Sequence, residues 1–238
     1  PEALGGAIIV EPNPLYLREP FYAEVGTGYQ TNGRGYNGRF EVGQGGNNWS
    51  YFINGKYTKI GDRASPDYML TNSGKEETSI GSGVRFRSKK IDIKAYYSLI
   101  DQNLGLLRAS FFHSAPAIRQ AFSSEQPDSA YILPFSYDIN EPNQLTQHHL
   151  GKGEVKWTYS DHGNITLRAG RQLNKRKEFD VRRNSEKPII NLDLITNDVQ
   201  LEWNHPDRFE LDGMIGVQYF SQNNDNNPGT GTTPFIPN

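Results

Sequence analysis

The sequence predicts an all-β fold, an antiparallel membrane β-barrel segment of about nine strands, open because the chain is a fragment. Three observations lead there. Apolar and polar residues alternate over runs of about ten residues, the length that crosses a bilayer at a strand tilt near ~45°, whereas strands in soluble proteins run nearer ~5–6 residues. Connections between the runs are by turns short and long. Antiparallel strands send successive connections to opposite ends, so one end collects tight turns and the other large loops. Trp49, Trp157 and Trp203 each stand beside a short turn, as an aromatic girdle at one membrane face would, while Tyr29, Tyr36, Tyr57 and Tyr219 stand toward the loops. A soluble sandwich also alternates but has no reason to sort tryptophan to one rim.

Composition agrees. The chain has 238 residues, 35% of them hydrophobic, and no apolar run approaches the ~18 residues of a membrane helix. Its mean hydropathy of -0.71 suits a barrel, whose apolar face is diluted by the alternating inner one. The absence of cysteine excludes disulfides, thiol nucleophiles and thiolate metal sites. A net charge of -2 argues against nucleic acid as a partner.

In chain order, residues 7–10 form a short apolar strand between a Gly-Gly turn and three prolines. Regular alternation begins with Phe21, Ala23, Val25, Thr27 and Tyr29, and residues 31–34 turn the chain. Tyr36, Phe40 and Val42 mark the second strand, residues 45–48 the next turn, and Trp49, Tyr51, Ile53 and Tyr57 the third. A loop over 61–77 precedes the fourth strand, carried by Ile80, Val84 and Phe86. After the turn at 88–90 come Ile91, Ile93, Ala95, Tyr97 and Leu99. The pattern then lapses over 101–146, a length that a compact domain rarely leaves without a function. Within it, 114–123 combines a serine N-cap, a first-turn proline and helically spaced apolar residues, which predicts one short helix. Alternation resumes with Val155, Trp157 and Tyr159, turns at 160–163, and continues with Ile165, Leu167, Ala169 and Leu173. A basic loop over 174–187 leads to the last hairpin: Ile195, Val199, Leu201 and Trp203, a reversal at 204–208, then Phe209 to Tyr219.

The alternation places Glu24, Arg39, Glu41, Lys56, Arg85, Asp92, Lys94, Glu154, Lys156, Arg168, Asp198, Glu202, Glu210 and Asp212 on one wet inner face. The other face meets lipid and carries Arg171 near its loop end, where a long side chain can snorkel. Gly33, Gly35 and Gly38 spell GxGxxG, but strands on both sides make it a hairpin rather than a phosphate loop. His148 and His149 are adjacent on a strand and point to opposite faces, so they do not share a metal ion. No catalytic residue, metal ligand or cofactor is expected, and the chain does not read as an enzyme.

Several stretches carry a resemblance: PEALGGAIIV at 1–10, DRASPDYMLTNSGKEE in the first long loop, KAYYSLIDQNLGLLRASF, PFSYDINEPNQLTQHHL and the terminal NNPGTGTTPFIP. Together they resemble TonB-dependent outer-membrane receptors, covering nearly the whole chain. The resemblance implies that residues 1–20 are the end of a plug domain with its linker, and that 21–238 are the N-terminal part of a transmembrane barrel of about 22 strands with long extracellular loops. It implies a bacterial outer-membrane, TonB-energised monomer that imports a ferric siderophore or similar scarce ligand, surrounded by outer-membrane lipid and lipopolysaccharide and reaching TonB through the missing N-terminal part. A passive porin-like or adhesin-like barrel is the second membrane reading, and a soluble β-sandwich binding module the reading from another class.

In the long loop, Arg108, His113, Arg119, Tyr131 and Tyr137 are the candidate ligand-binding residues. Arginine and tyrosine suit an anionic aromatic chelate through charge-assisted hydrogen bonds and stacking. The plainer account is a structural loop whose arginine faces water. Lys175, Arg176, Lys177, Arg182 and Arg183 form a positive cluster for lipopolysaccharide phosphates or anionic ligand, with a solvated loop as its plain alternative.

Overall fold

The computed structural model describes residues 14–110, 114–161, 163–181, 187–208 and 211–226, and of 206–208, 211 and 212 the backbone alone. One large antiparallel sheet holds nine strands in order of sequence. They are β1 (Tyr22–Gln30), β2 (Gly35–Gly45), β3 (Trp49–Ile60), β6 (Lys75–Arg87), β7 (Ile91–Gly105), β8 (Asn143–Thr158), β9 (Asn164–Phe179), β10 (Ile190–Arg208) and β11 (Leu211–Asn226). Two-residue strands β4 (Arg63–Ala64) and β5 (Met69–Leu70) pair within the first long loop. The all-β, nine-strand expectation holds, and the sheet is not closed: β1 and β11 are its edges and run in the same direction.

The short ends lie at 46–48, 88–90 and 159–163, and the long connections lie at the opposite end, joined there by the tight β1–β2 turn. That turn requires positive φ at Gly33 (+86°) and Arg34 (+44°), which places the GxGxxG glycines in a hairpin as expected. Helix α1 (Ala115–Ser123) forms where predicted, with the Ser114 hydroxyl accepting a 3.3 Å bond from the Ala117 N–H.

Three boundaries differ from the sequence expectation. Residues 204–208 continue β10, with a register shift between His205 and Arg208, so they are strand and not the reversal. The run Lys175–Lys177 is strand, because β9 continues to Phe179, while Arg182 and Arg183 lie outside the described residues. Strands β6 to β10 all extend at the loop end beyond the alternating stretch. On β6, β8 and β9 the added residues are mostly polar on both faces, and on β7 and β10 the alternation inverts there. On β10, Ile195, Val199, Leu201 and Trp203 share one face with Asn191 and Asp193, while Thr196, Asp198, Gln200 and Glu202 share the other with Ile190, Leu192 and Leu194. On β7, Ile91 to Leu99 likewise give way on their face to Asp101 and Asn103, and the opposite face takes Ile100 and Leu104.

Almost nothing apolar is buried. Among the described residues only Phe52 (3% exposed) and Ile60 (9%) form a hydrophobic core, while large apolar side chains lie open on the face of Val25, Phe40, Ile53, Val84, Leu167, Leu201 and Val217. Phe52 on β3 and Asp198 on β10 line one cavity of about 710 Å³. In a flat sheet, strands five steps apart would be separated by roughly 24 Å, so the sheet curls with its polar face concave.

Candidate functional site

Cross-strand register puts Glu24, Arg39, Glu41, Lys56, Arg85, Asp92, Lys94, Glu154, Lys156, Arg168, Asp198 and Glu202 on the concave face, as expected. The side chains of Glu210 and Asp212 lie outside those described. Opposite charges on neighbouring strands are in register, so they pair across the sheet. Lys94 Nζ meets Glu154 Oε1 at 2.9 Å, Arg168 Nε meets Glu154 Oε2 at 2.8 Å, and Arg168 Nη1 meets Glu202 Oε2 at 2.7 Å. One ladder of charge thus crosses β7, β8, β9 and β10. Nearer the turns, Arg85 grips Asp92 with two bonds of 2.9 and 2.6 Å. Its third donation, Nη1 to the Leu15 carbonyl at 2.9 Å, holds the N-terminal segment against the concave face. Arg18 N–H to Gly46 O (2.9 Å) and Gly45 N–H to Glu19 O (2.8 Å) fix the same segment by backbone bonds.

The convex face is bare of charge except toward the loops. Its described charged residues are Lys59, Glu76, Asp101, Arg171, Lys175, Lys177, Asp193 and Asp225. Its tryptophans sit at the turn end, Trp157 and Trp203 in one row through Ile165, with the Trp203 indole donating to the Tyr159 hydroxyl at 2.8 Å. The upper border of the apolar band runs obliquely. Counted along the hydrogen-bonded register, the row of Tyr29 and Tyr36 reaches β10 at Asn191, whereas Tyr219 lies opposite Val199, eight residues nearer the turns after eight strand steps. One residue per strand corresponds to a tilt of roughly 35° between the strands and the normal to the band.

At the loop end, polar side chains tie the connections into a cap. Asn72, 4% exposed with φ +63°, donates through Nδ2 to the carbonyls of Leu106 (2.9 Å) and Pro142 (2.8 Å) and accepts from the Asn140 N–H (2.9 Å). It therefore staples together the two feet of the long loop. The Leu133 N–H donates to Thr71 Oγ1 at 2.9 Å, and the Tyr137 hydroxyl donates to the Arg34 carbonyl at 2.7 Å. Arg34 lies over the Phe135 ring at 4.1 Å, and Tyr137 meets Phe135 edge-on at 5.0 Å.

The proposed ligand residues separate under this geometry. Tyr137 is a clasp on the return leg, half-buried against the β1–β2 turn. Arg108 opens a short 3₁₀ turn (Arg108–Ser110), Arg119 is exposed on α1, Tyr131 closes a second 3₁₀ turn (Ser129–Tyr131), and His113 lies outside the described residues. Among the described residues no hydrogen bond, ion pair or ring contact joins any two of these side chains. Sequence reading missed Asn72, Thr71, Arg34 and Phe135. The only hint was turn chemistry at Thr71-Asn72-Ser73-Gly74, where asparagine tolerates the left-handed region. His148 and His149 do part to opposite faces, toward Asn174 and Tyr97, and the described residues hold no group of three or more metal-ligating side chains.

No protein-family model matches the chain, and no curated protein matches it.

Proposed function

We propose that the chain is part of the wall of a bacterial outer-membrane barrel of the TonB-dependent receptor type, taking up a scarce ligand such as a ferric siderophore. The observation that carries the membrane reading is the inverted polarity of the sheet. A water-soluble sheet turns its apolar face inward. Here the apolar face is convex and open, and the ion-paired face is concave. Lipid outside and a wet lumen inside account for both. The same two environments account for the inversion along β7 and β10: above the membrane the outer face meets water, so Asp101 and Asp193 face out and Ile100 and Leu192 face in. The oblique band supports it too, since its ~35° lies at the edge of the range for barrel strands. Importer rather than passive pore rests on the resemblance and on residues 14–20 lying against the concave face, where a plug's last segment would run.

Nitroxide labels at Leu167 and Arg168, neighbours on opposite faces, should be relaxed by oxygen in the bilayer and by a water-soluble reagent respectively, and the reverse pattern would overturn the wall assignment. For ligand capture, deletion of 114–123 removes α1 with Arg119 but none of the bonds through Asn72. It should lower affinity for a ferric siderophore at least fivefold; an unchanged affinity would remove the long loop from the binding site.

A further inference from the structure

We infer that residues 15–19 are a mechanical stop between the lumen and the wall: tension on the chain ahead of Leu15 ends at this latch and does not reach β1. The inference rests on the importer reading, in which energy reaches the barrel through the N-terminal part of the chain. Residues 18 and 19 are fastened past Pro20 to the end of β2 and its turn, by the Arg18 N–H to Gly46 O (2.9 Å) and the Gly45 N–H to Glu19 O (2.8 Å). Arg18 takes φ +60°, a left-handed corner at which the chain leaves the wall and turns over the concave face. Past the corner, the Leu15 carbonyl accepts from Arg85 Nη1 at 2.9 Å.

The row beneath the segment is Gly45, Ser50 and Arg85, in register across β2, β3 and β6. A Cβ on Gly45 would stand 2.3 Å from the Tyr16 carbonyl oxygen and 2.8 Å from the Glu19 nitrogen, so glycine is what lets the chain lie this close. Ser50, midway between the fastenings, is 3% exposed where the segment crosses it. Arg85 is itself clamped, with Nε and Nη2 on Asp92 at 2.9 and 2.6 Å, so its remaining donor is fixed in direction. Tension arriving from the N-terminal side meets the Arg85 bond first, the two backbone bonds next, and the nine-residue β1 ladder last. Fastenings on both sides of the corner divide a load that one bond would otherwise carry alone.

The test pulls the full-length protein by its N-terminus from a phosphatidylcholine bilayer in an atomic force microscope. Release of the latch frees the chain from Leu15 to Phe21, about 25 Å at ~3.6 Å per residue, and should appear as one step of that length just before the wall strands come out. Arg85→Met removes the donors and keeps the stem, while Asp92 retains Arg87 at 3.3 Å. Gly45→Ala leaves the Arg85–Asp92 pair intact, and the atoms nearest its Cβ all belong to the segment. Each variant should shorten the lifetime of the latched state under constant load by about tenfold or more, the worth of a charge-assisted hydrogen bond, and leave the later steps unchanged. A wild type without the ~25 Å step, or variants that keep its full lifetime, would overturn the proposal. So would variants that weaken every later step equally, because the two residues would then be ordinary supports of the wall. The expected step in a protein that takes up no ferric siderophore would overturn the importer reading and leave the latch standing.

Discussion

Arginine at Leu201 is expected to destabilise the membrane-inserted protein by about 2–4 kcal/mol, whereas arginine at Gln218 should cost less than about 1 kcal/mol. Leu201 lies in the middle of the convex band, in a row with Val155, Leu167 and Val217, and no convex-face charge is in register with it on the flanking strands. A guanidinium there must either enter hydrocarbon or bend toward a border two rows away. Gln218 lies on the concave face, where its amide already donates to Asp198, so a cation in its place gains that carboxylate. Both substitutions put the same bulk and charge on the last two strands, and only the face differs. Urea unfolding from phosphatidylcholine vesicles, read by tryptophan fluorescence and by the heat-dependent shift in gel mobility, measures the two losses. Equal losses would mean that the two faces meet the same solvent. The convex face would then have to be covered by protein.

The strands were legible wherever apolar and polar side chains keep to separate faces, which on the proposed membrane reading meet lipid and water, because two unlike solvents impose strict alternation. Ile91 to Leu99 could be read residue by residue for that reason. From Ile100 to Gly105 the strand continues, yet its polar and apolar positions exchange faces, so a search for one unbroken alternation stops at the exchange. Asn143–Thr146 on β8 and Lys175–Phe179 on β9 also read as loop and are strand, but there the pattern lapses instead of inverting: Leu145 and Phe179 stay on the convex face, and nearly every other position on both faces is polar. Ladder hydrogen bonds, not hydrophobic pattern, carry those segments. Pro206-Asp207 read as the last reversal through its turn propensity, but there the ladder on both sides holds the backbone extended past it. Charge partners were legible as a face but not as pairs. Glu154 could be placed inward, but that it receives Lys94 as well as Arg168 depends on the β7–β8 register, which the length of a long loop leaves undetermined. The candidate ligand residues were the least legible. Residue chemistry alone grouped Tyr137 with Arg119, and chain geometry assigns Tyr137 to the cap.

Removing the Asn72 side chain should free the long loop while leaving the wall intact. Asn72→Ala deletes both donations, to Leu106 and to Pro142, and the acceptor of the Asn140 N–H. It leaves the Leu106 carbonyl and the Asn140 amide without those partners in a site that is 4% exposed, while the Pro142 carbonyl keeps the Leu106 N–H at 2.9 Å. A buried group left unpaired costs about 1–3 kcal/mol, and alanine at φ +63° adds backbone strain that asparagine tolerates better. The cost falls on the local equilibrium between a clasped and an opened loop, because β7 and β8 remain paired from Ile91 to Gly105 by their own ladder. Cleavage within 114–131 by a protease at limiting concentration should therefore rise by roughly ten- to a hundredfold, with the unfolding midpoint of the sheet unchanged. Asn72→Gly separates the two contributions: glycine relieves φ but restores no hydrogen bond, so it should open the loop nearly as far as alanine does. Asn72→Asp keeps the acceptor and loses both donors, and should fall in the same range. Were glycine to restore wild-type protection, backbone conformation and not the staple would hold the loop. Were all three to cleave at the wild-type rate, the contacts of Leu133 with Thr71 and of Tyr137 with Arg34 would suffice to close the cap, and Asn72 would be a bystander in it.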